Sequence, residues 1–325
     1  MDAFSTSIDK AKGLAILLVM LGHINSPLGG VIYSFHVPMF FFLAGLFIKI
    51  GYSWKEYLKK GLDRLIIPFL IFGAIGFLAT LVKNVLLHRP IEPFSESLAG
   101  LLYWADSMHM HHYGFTLWFL PALFWGRTLV FFGVKYIYWH PAILMAVATV
   151  IAWLAAHYVT LPFGLDKALV ALPWILMGYL FYQNRERWLT VNWPYIFFLT
   201  LFIALFVYLG GLPHLDLATK NMGNPLQSIP YSVAVIFLLT WSLYKFNHYT
   251  GYWTKRYLNV LIQFGQNSML VLVLHVYTNN AADILVNHLL GAGYWFVTFA
   301  MSVALVYLAI LVKKRYSDSL IFRYL

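Results

Sequence analysis

The stretch KAKGLAILLVMLGHINSP at residues 10–27 is apolar and has about the ~20 residues that a helix needs to cross a bilayer. It lacks the charged leader and small-residue cleavage site of a secretory signal, so we expect it to remain as a membrane anchor. Nine similar runs follow, at 31–50, 62–87, 116–134, 140–160, 166–183, 194–211, 227–245, 258–279 and 294–312. The sequence therefore predicts an all-α polytopic membrane protein, with ten transmembrane helices in one bundle and a single domain over residues 1–325.

The composition is typical of the same class of protein. Of the 325 residues, 61% are hydrophobic, 19% are aromatic and only 10% are charged, and the mean hydropathy is +0.73. The net charge of +10 comes from short basic clusters between apolar runs, so we expect no nucleic-acid partner. The chain has no cysteine, which excludes disulfides, thiol nucleophiles and cysteine-ligated metals.

Most of the 22 Lys and Arg residues lie at alternate ends of the ten runs. Because basic residues near helix ends resist translocation, that side and both termini are predicted to be cytoplasmic. Most of the protein surface is then expected to contact membrane lipids. No linker, charge block or internal repeat interrupts the series, and self-association into a homo-oligomer is compatible with the sequence.

The first helix carries two basic side chains on one face. Lys12 and His23 are eleven residues apart, which is roughly three turns and about 16 Å along a helix axis. Asp9 lies three residues before Lys12 and can pair with it. With Asp9 near the cytoplasmic end, His23 lies toward the outer leaflet, and Asn25 follows just beyond it.

His36 and His275 are predicted to lie at a depth similar to that of His23. Ionisable residues within membrane helices are costly, so three imidazoles in one layer favour a functional site over simple packing. Imidazole is suited to general-base work, because its unperturbed pKa of about 6.5 lets it take and return a proton near neutral pH. No carboxylate is expected at this depth, so no metal site is predicted there. A surface metal site at His109, His111 and His112 is a weaker alternative to a solvated loop.

The cytoplasmic basic cluster includes Lys59, Lys60 and Arg64. These cations can hold an anionic donor such as coenzyme A, whose phosphates attract Lys and Arg. The alternative is that they only set topology and contact anionic lipid headgroups. Trp118 has two interpretations as well, as a sugar-stacking residue or as part of the interfacial aromatic belt and helix packing.

Five stretches of the sequence resemble the acyltransferase-3 family of membrane O-acyltransferases, which includes fucose 4-O-acetylase-like proteins. They are IDKAKGLAILLVMLGH at 8–23, FHVPMFFFLAG at 35–45, RLIIPFL at 64–70, LWFLPALF at 117–124 and GQNSMLVLVLH at 265–275. The family pattern of a basic residue, ten residues and a histidine is matched by Lys12 and His23, although many members have Arg in place of Lys12. Ala44 stands where the family has a serine. Lysine is a point charge rather than a planar fork, so a bidentate phosphate contact at Lys12 is not implied.

The resemblance implies transfer of an acyl group, commonly acetyl from cytoplasmic acetyl-CoA, to a sugar hydroxyl of a glycan or lipid-linked saccharide outside a bacterial cytoplasmic membrane. His23 would be the catalytic histidine and His36 would assist it. Direct transfer and a transient acyl-histidine both fit. From the resemblance, the charge pattern and the predicted depths we expect the following roles. The donor is held by Lys12, Arg64, Lys59 and Lys60, and Asp9 supports Lys12. The acceptor is held by Asn25, Trp118 and His275.

The main competing hypothesis is a transporter or flippase for a polysaccharide or lipid-linked sugar, because ten helices with buried polar groups also suit alternating access. The absence of a detectable inverted repeat in the sequence argues mildly against it. The unrelated histidine class of membrane-bound O-acyltransferases is a third alternative, and the basic-x10-His pattern argues against that class. The two main hypotheses differ in whether loss of His23 changes the acetyl content of the glycan or only its translocation.

Overall fold

The structure is a computed structural model that describes residues 3–91, 93–105, 110, 114–249, 252–316 and 324–325. Within these residues the regular structure is helical, apart from one isolated bridge between Asp216 and Asn221. The α-helices are α1 (Ala3–Gly22), α2 (Gly29–Ile32), α3 (His36–Gly45), α4 (Trp54–Gly61), α5 (Ile67–Leu86), α6 (Phe94–Ala99), α7 (Phe119–Tyr136), α8 (Pro141–Tyr158), α9 (Leu165–Gln183), α10 (Arg185–Leu189), α11 (Trp193–Gly210), α12 (Pro225–Tyr249), α13 (Tyr252–Gln266), α14 (Ser268–Leu290) and α15 (Trp295–Arg315). Two π-helical turns, Leu62–Ile66 and Gly100–Trp104, and one 3₁₀ turn, Phe115–Trp118, extend them.

Eight helical segments in the described part of the chain are long and apolar enough to cross a membrane. They are Trp54–Leu86, Phe115–Tyr136, Pro141–Tyr158, Leu165–Gln183, Trp193–Gly210, Pro225–Phe246, Ser268–Leu290 and Trp295–Arg315. These segments confirm an all-α polytopic membrane protein. Helix α1 is not among them because it carries three charged residues, and the apolar segment Gly29–Gly45 is shorter. That these two segments also cross the membrane, which would give ten spans, stays a prediction.

Two predicted spans are not continuous helices, so those predictions are wrong in detail. The run 31–50 is divided into α2 and α3 and ends as a helix at Gly45. The run 258–279 is interrupted at Asn267, between α13 and α14. There the Asn267 side-chain amide donates to the Gln263 carbonyl oxygen at 2.8 Å and its side-chain oxygen accepts from Lys313 Nζ at 2.7 Å. The Asn267 backbone N–H also bonds the Gln263 carbonyl oxygen at 3.1 Å, so this carbonyl accepts from both the backbone and the side chain of Asn267 where the two helices meet.

The described chain divides into two compact units, which we treat separately. The first unit contains the described residues of Met1–Leu43, Leu180–Leu215 and Gly223–Arg323. The second contains Ala44–Tyr179, Asp216–Met222 and Tyr324–Leu325, again where described. The single domain over residues 1–325 stays a prediction.

In the first unit, α1 and α13 approach each other closely through glycines. A Cβ on Gly13 would overlap the backbone carbonyl oxygen of Leu261, and a Cβ on Gly265 would overlap that of Asp9. Small residues are the usual means by which membrane helices bring their backbones together, since lipid provides no hydrophobic drive for association. The lack of a side chain at Gly13 of α1 and at Gly265 of α13 therefore allows the two helix backbones to approach this closely.

One face of α1 points into the protein along most of its length. Ile16 and Val19 are buried and lie four and seven residues after Lys12, so they share its face. His23 completes the series four residues later. The face that joins Lys12 to His23 is therefore covered by protein at its centre.

In the second unit, ring stacking and a close glycine contact join α4 to α7. The Tyr57 and Phe131 rings stack with their centroids 4.0 Å apart, and the Tyr57 hydroxyl donates to the Arg127 carbonyl oxygen at 3.4 Å. A Cβ on Gly61 would lie only 2.9 Å from the Phe124 ring. The π-helical turn that contains Arg64 begins directly after this glycine.

Candidate active site

The site begins at the C-terminal end of α1, where the last helical carbonyls need hydrogen-bond donors. The carbonyl oxygens of Val19–Gly22 all have one. In order, the donors are the His23 backbone N–H at 3.2 Å, the Asn279 side-chain amide at 2.9 Å, the Ile24 backbone N–H at 3.2 Å and the Tyr33 hydroxyl at 3.4 Å. Two of these donors come from other parts of the first unit, so the direction in which the chain leaves α1 is set by tertiary contacts. His23 is the first residue after the helix.

The His23 side chain lies against His275 of α14. The two ring centroids are 5.2 Å apart, with the ring planes at 41°. The His23 residue is exposed, whereas His275 is fully enclosed, with 0% of its surface accessible. The structure thus brings together two of the three histidines that the sequence places at one depth.

His36 lies near the last residue of α1. Its Nδ1 donates to the Ile32 carbonyl oxygen at 2.7 Å, and its Nε2 would be 3.9 Å from a Cβ built on Gly22. The Tyr33 ring packs edge-on against His36 with centroids 4.9 Å apart, and stacks on the His214 ring at 5.5 Å. The Tyr33 and His36 rings therefore lie close to Gly22, the residue that precedes His23.

Asn279 is the centre of a polar network that holds α1, α14 and α15 together. Besides its bond to α1, it accepts at Oδ1 from the Ser302 hydroxyl at 2.6 Å, and Ser302 is 2.8 Å from the Thr278 hydroxyl. Asn279 and Ser302 are buried. Asn279 lies four residues after His275, so both side chains are on the same face of α14. The network supports the helix face from which His275 reaches His23.

We expect Asn279→Ala to lower the free energy of unfolding by about 1–2 kcal/mol, because the Met20 carbonyl and the Ser302 hydroxyl lose a buried partner. The thermal unfolding midpoint of the purified protein in detergent measures this change. Asn280→Ala is the matched control, since Asn280 is the neighbouring amide and is exposed. Equal midpoints for the two variants would contradict the structural role of Asn279.

At the other end of α1, Lys12 and Asp9 form the predicted ion pair, with Nζ 2.6 Å from Oδ1. The second Asp9 oxygen accepts from the Gln266 side-chain amide at 3.1 Å. The Lys12 side chain keeps 25% of its surface exposed. Asp9 is therefore satisfied by two donors from different helices, and it holds the Lys12 ammonium at the edge of the α1–α13 contact.

The remaining predicted site residues are placed as follows. Asn25 follows the α1 terminus and is exposed. In the second unit, Arg64 and Lys59 are exposed, and Lys60 pairs with Glu56 at 2.8 Å and lies over the Tyr52 ring. Trp118 is buried in the 3₁₀ turn before α7 and packs edge-on against Phe119. Their roles stay predictions, and His109, His111 and His112 lie outside the described residues.

Several site residues were missed by reasoning from the sequence. Asn279 carried a usable signal, because it is a polar residue in an apolar run, one turn after His275. Tyr33 and His214 carried none, since their ring stacking joins distant parts of the chain. Gln266 could not be linked to Asp9 without knowing that α13 packs against α1.

The fold and this arrangement define a multi-pass membrane protein with a histidine-containing site at the end of its first helix. The chain belongs to the acyltransferase-3 family, whose model, described as an acyltransferase domain, matches residues 5–312. It is therefore a membrane acyltransferase. No curated protein and no solved structure with which the chain was compared is similar to it.

Proposed function

We propose that the protein transfers an acetyl group from cytoplasmic acetyl-CoA to a sugar hydroxyl of a glycan or lipid-linked saccharide on the outer side of a bacterial cytoplasmic membrane. His23 acts as the general base. Lys12 holds the donor at the cytoplasmic end of α1, and Asn25 and the ring cluster around Tyr33 contact the acceptor. His36 assists near the acceptor as a second imidazole.

The observation that carries this proposal is the position of His23. Its side chain is exposed at the end of α1, where an acceptor can approach, and it shares with Lys12 a helix face that is buried between them. A base at one end and a cation at the other suit a donor whose phosphates and thioester are far apart.

His23 is the only proton carrier in the transfer step. One ring nitrogen takes the proton of the sugar hydroxyl as its oxygen attacks the thioester carbon, which forms the new C–O bond. The C–S bond then breaks, and the imidazolium returns the proton to the departing coenzyme A thiolate. An acyl-histidine route would instead place the acetyl group on the ring nitrogen before it reaches the sugar.

Mass spectrometry of surface glycans from cells with and without the gene tests the proposed function. Cells supplied with deuterated acetate are expected to carry labelled O-acetyl groups only when the gene is present. Glycan that reaches the surface in equal amount and with equal acetyl content in both strains would contradict the proposed function. Glycan that is missing from the surface altogether would favour the transporter hypothesis.

We expect Lys12→Ala to raise the KM for acetyl-CoA about tenfold, which corresponds to loss of one charge-assisted contact of about 1.4 kcal/mol. Steady-state release of coenzyme A by the purified protein measures it. Lys12→Arg keeps the charge and is expected to retain a KM near that of the wild type.

Lys314→Ala is the matched control for Lys12→Ala, because it removes the same charge from the same predicted side of the membrane. The Lys314 Nζ donates to the Gln263 side-chain oxygen at 3.0 Å. Its KM for acetyl-CoA should be unchanged. If both alanine variants raise the KM equally, the charge acts only through general attraction. The assignment of Lys12 to the donor site would then be wrong.

A further inference from the structure

His275 has a defined protonation pattern on its two ring nitrogens. Its Nδ1 is 2.8 Å from the Leu272 carbonyl oxygen and 3.3 Å from that of Val271. Carbonyl oxygens only accept hydrogen bonds, so Nδ1 must carry the proton. In a neutral imidazole the other nitrogen, Nε2, is then an acceptor with an available lone pair.

This Nε2 lone pair has no hydrogen-bond partner among the described residues, although the atom is buried. Leaving a buried polar atom without a partner is costly, and native proteins rarely do so without a functional reason. The His23 ring lies beside the His275 ring, with the two centroids 5.2 Å apart. His275 is held in place beside the His23 ring by its backbone bonds and by complete enclosure.

We propose that His275 is a positioning residue for His23: its Nε2 accepts a hydrogen bond from a ring N–H of His23 in the acyl-transfer complex. This inference rests on the proposed function. The bond fixes which His23 nitrogen carries a proton, so that the opposite nitrogen presents its lone pair to the acceptor hydroxyl. Catalytic hydrogen bonds often tighten only when substrate binds, which agrees with an Nε2 that has no partner among the described residues.

His275 cannot replace His23 as the base. Its one lone pair lies in an enclosed position, so the acceptor contact predicted for His275 from the sequence is replaced here by the contact with His23, and its Nδ1 proton is bound to the backbone. It remains neutral throughout the transfer, while His23 takes the hydroxyl proton and gives it up. His23 is thus the base and His275 is the group that orients it, an arrangement found in other catalytic sites.

His275→Phe and His275→Ala test this role through their effects on turnover. His275→Phe keeps a ring in the enclosed position but removes the acceptor, and we expect it to lower kcat about 10- to 100-fold with the KM for acetyl-CoA and acceptor unchanged. His275→Ala should lose activity to a similar degree and regain it when imidazole is added. Pyrrole has the same ring size but no basic lone pair, so it should fail to rescue.

Three results would overturn the inference. They are a wild-type kcat in His275→Phe, equal rescue of His275→Ala by pyrrole and imidazole, and an Nε2-protonated His275 in ¹⁵N spectra of the wild-type protein. If His275→Ala fails to fold, His275→Phe and the wild-type spectrum decide the question. Absence of acetyl transfer by the wild-type protein would instead be a failure of the proposed function, so the two failures are distinguishable.

Discussion

Replacing His23 with alanine is expected to lower kcat for acetyl transfer by about a hundredfold to ten-thousandfold, the usual contribution of a general base. The side chain follows the last turn of α1 and is exposed, so its removal leaves no buried cavity. The folded amount and the thermal unfolding midpoint should therefore match the wild type. Steady-state release of coenzyme A in the presence of a glycan acceptor measures the loss.

The matched control is His157→Ala. His157 is an exposed histidine at the end of α8, and its Nδ1 bonds the Trp153 carbonyl oxygen at 2.8 Å. It belongs to the second unit and has no role in the proposed chemistry, so its replacement should leave kcat unchanged. If His23→Ala kept the turnover of His157→Ala, the base would have to be another residue.

A single methyl group on Gly13 is expected to have the largest effect on stability. Gly13→Ala places a Cβ on the Leu261 carbonyl oxygen, so α1 and α13 must separate. Overpacking of this kind typically costs about 1–3 kcal/mol. Since α1 carries both Lys12 and His23, activity should fall with the unfolding midpoint.

Gly133→Ala makes the same chemical change in α7, where a Cβ meets no atom within 4 Å. There the methyl group should stabilise the helix by up to about 1 kcal/mol, because alanine loses less backbone entropy than glycine. The two midpoints measured by thermal unfolding in detergent should move in opposite directions. A Gly13→Ala midpoint at or above that of the wild type would contradict the close α1–α13 contact.

The positions of most helices followed from the length of the apolar runs alone. The runs at 166–183 and 194–211 correspond to Leu165–Gln183 and Trp193–Gly210. These runs end at polar residues or glycine, which mark helix boundaries locally. The break at Asn267 was not predictable in this way, because it involves Lys313 from another helix. A hydropathy profile contains no information about such a bond.

The candidate site was predictable where it depends on one helix. The spacing of Asp9, Lys12 and His23 follows from helical periodicity, and their ion pair and shared face are present in the structure. The sequence placed His275 at the depth of His23 by assuming one continuous span over 258–279, and the structure interrupts that run at Asn267, so the contact of the two rings is a finding of the structure. The stacking of Tyr33 on His214 and the bond from Asn279 to α1 depend on tertiary packing, so no local pattern indicated them.

The proposed reaction moves an acetyl group from a donor on one side of the membrane to a sugar on the other, with His23 as the base. The most direct measurement uses sealed vesicles that contain the protein, with radiolabelled acetyl-CoA added to the side of the predicted cytoplasmic face and the glycan acceptor confined to the opposite side. Labelled glycan is expected with the wild-type protein, and none above background with His23→Ala. Equal labelling by the two proteins, or no labelling by the wild type, would contradict it.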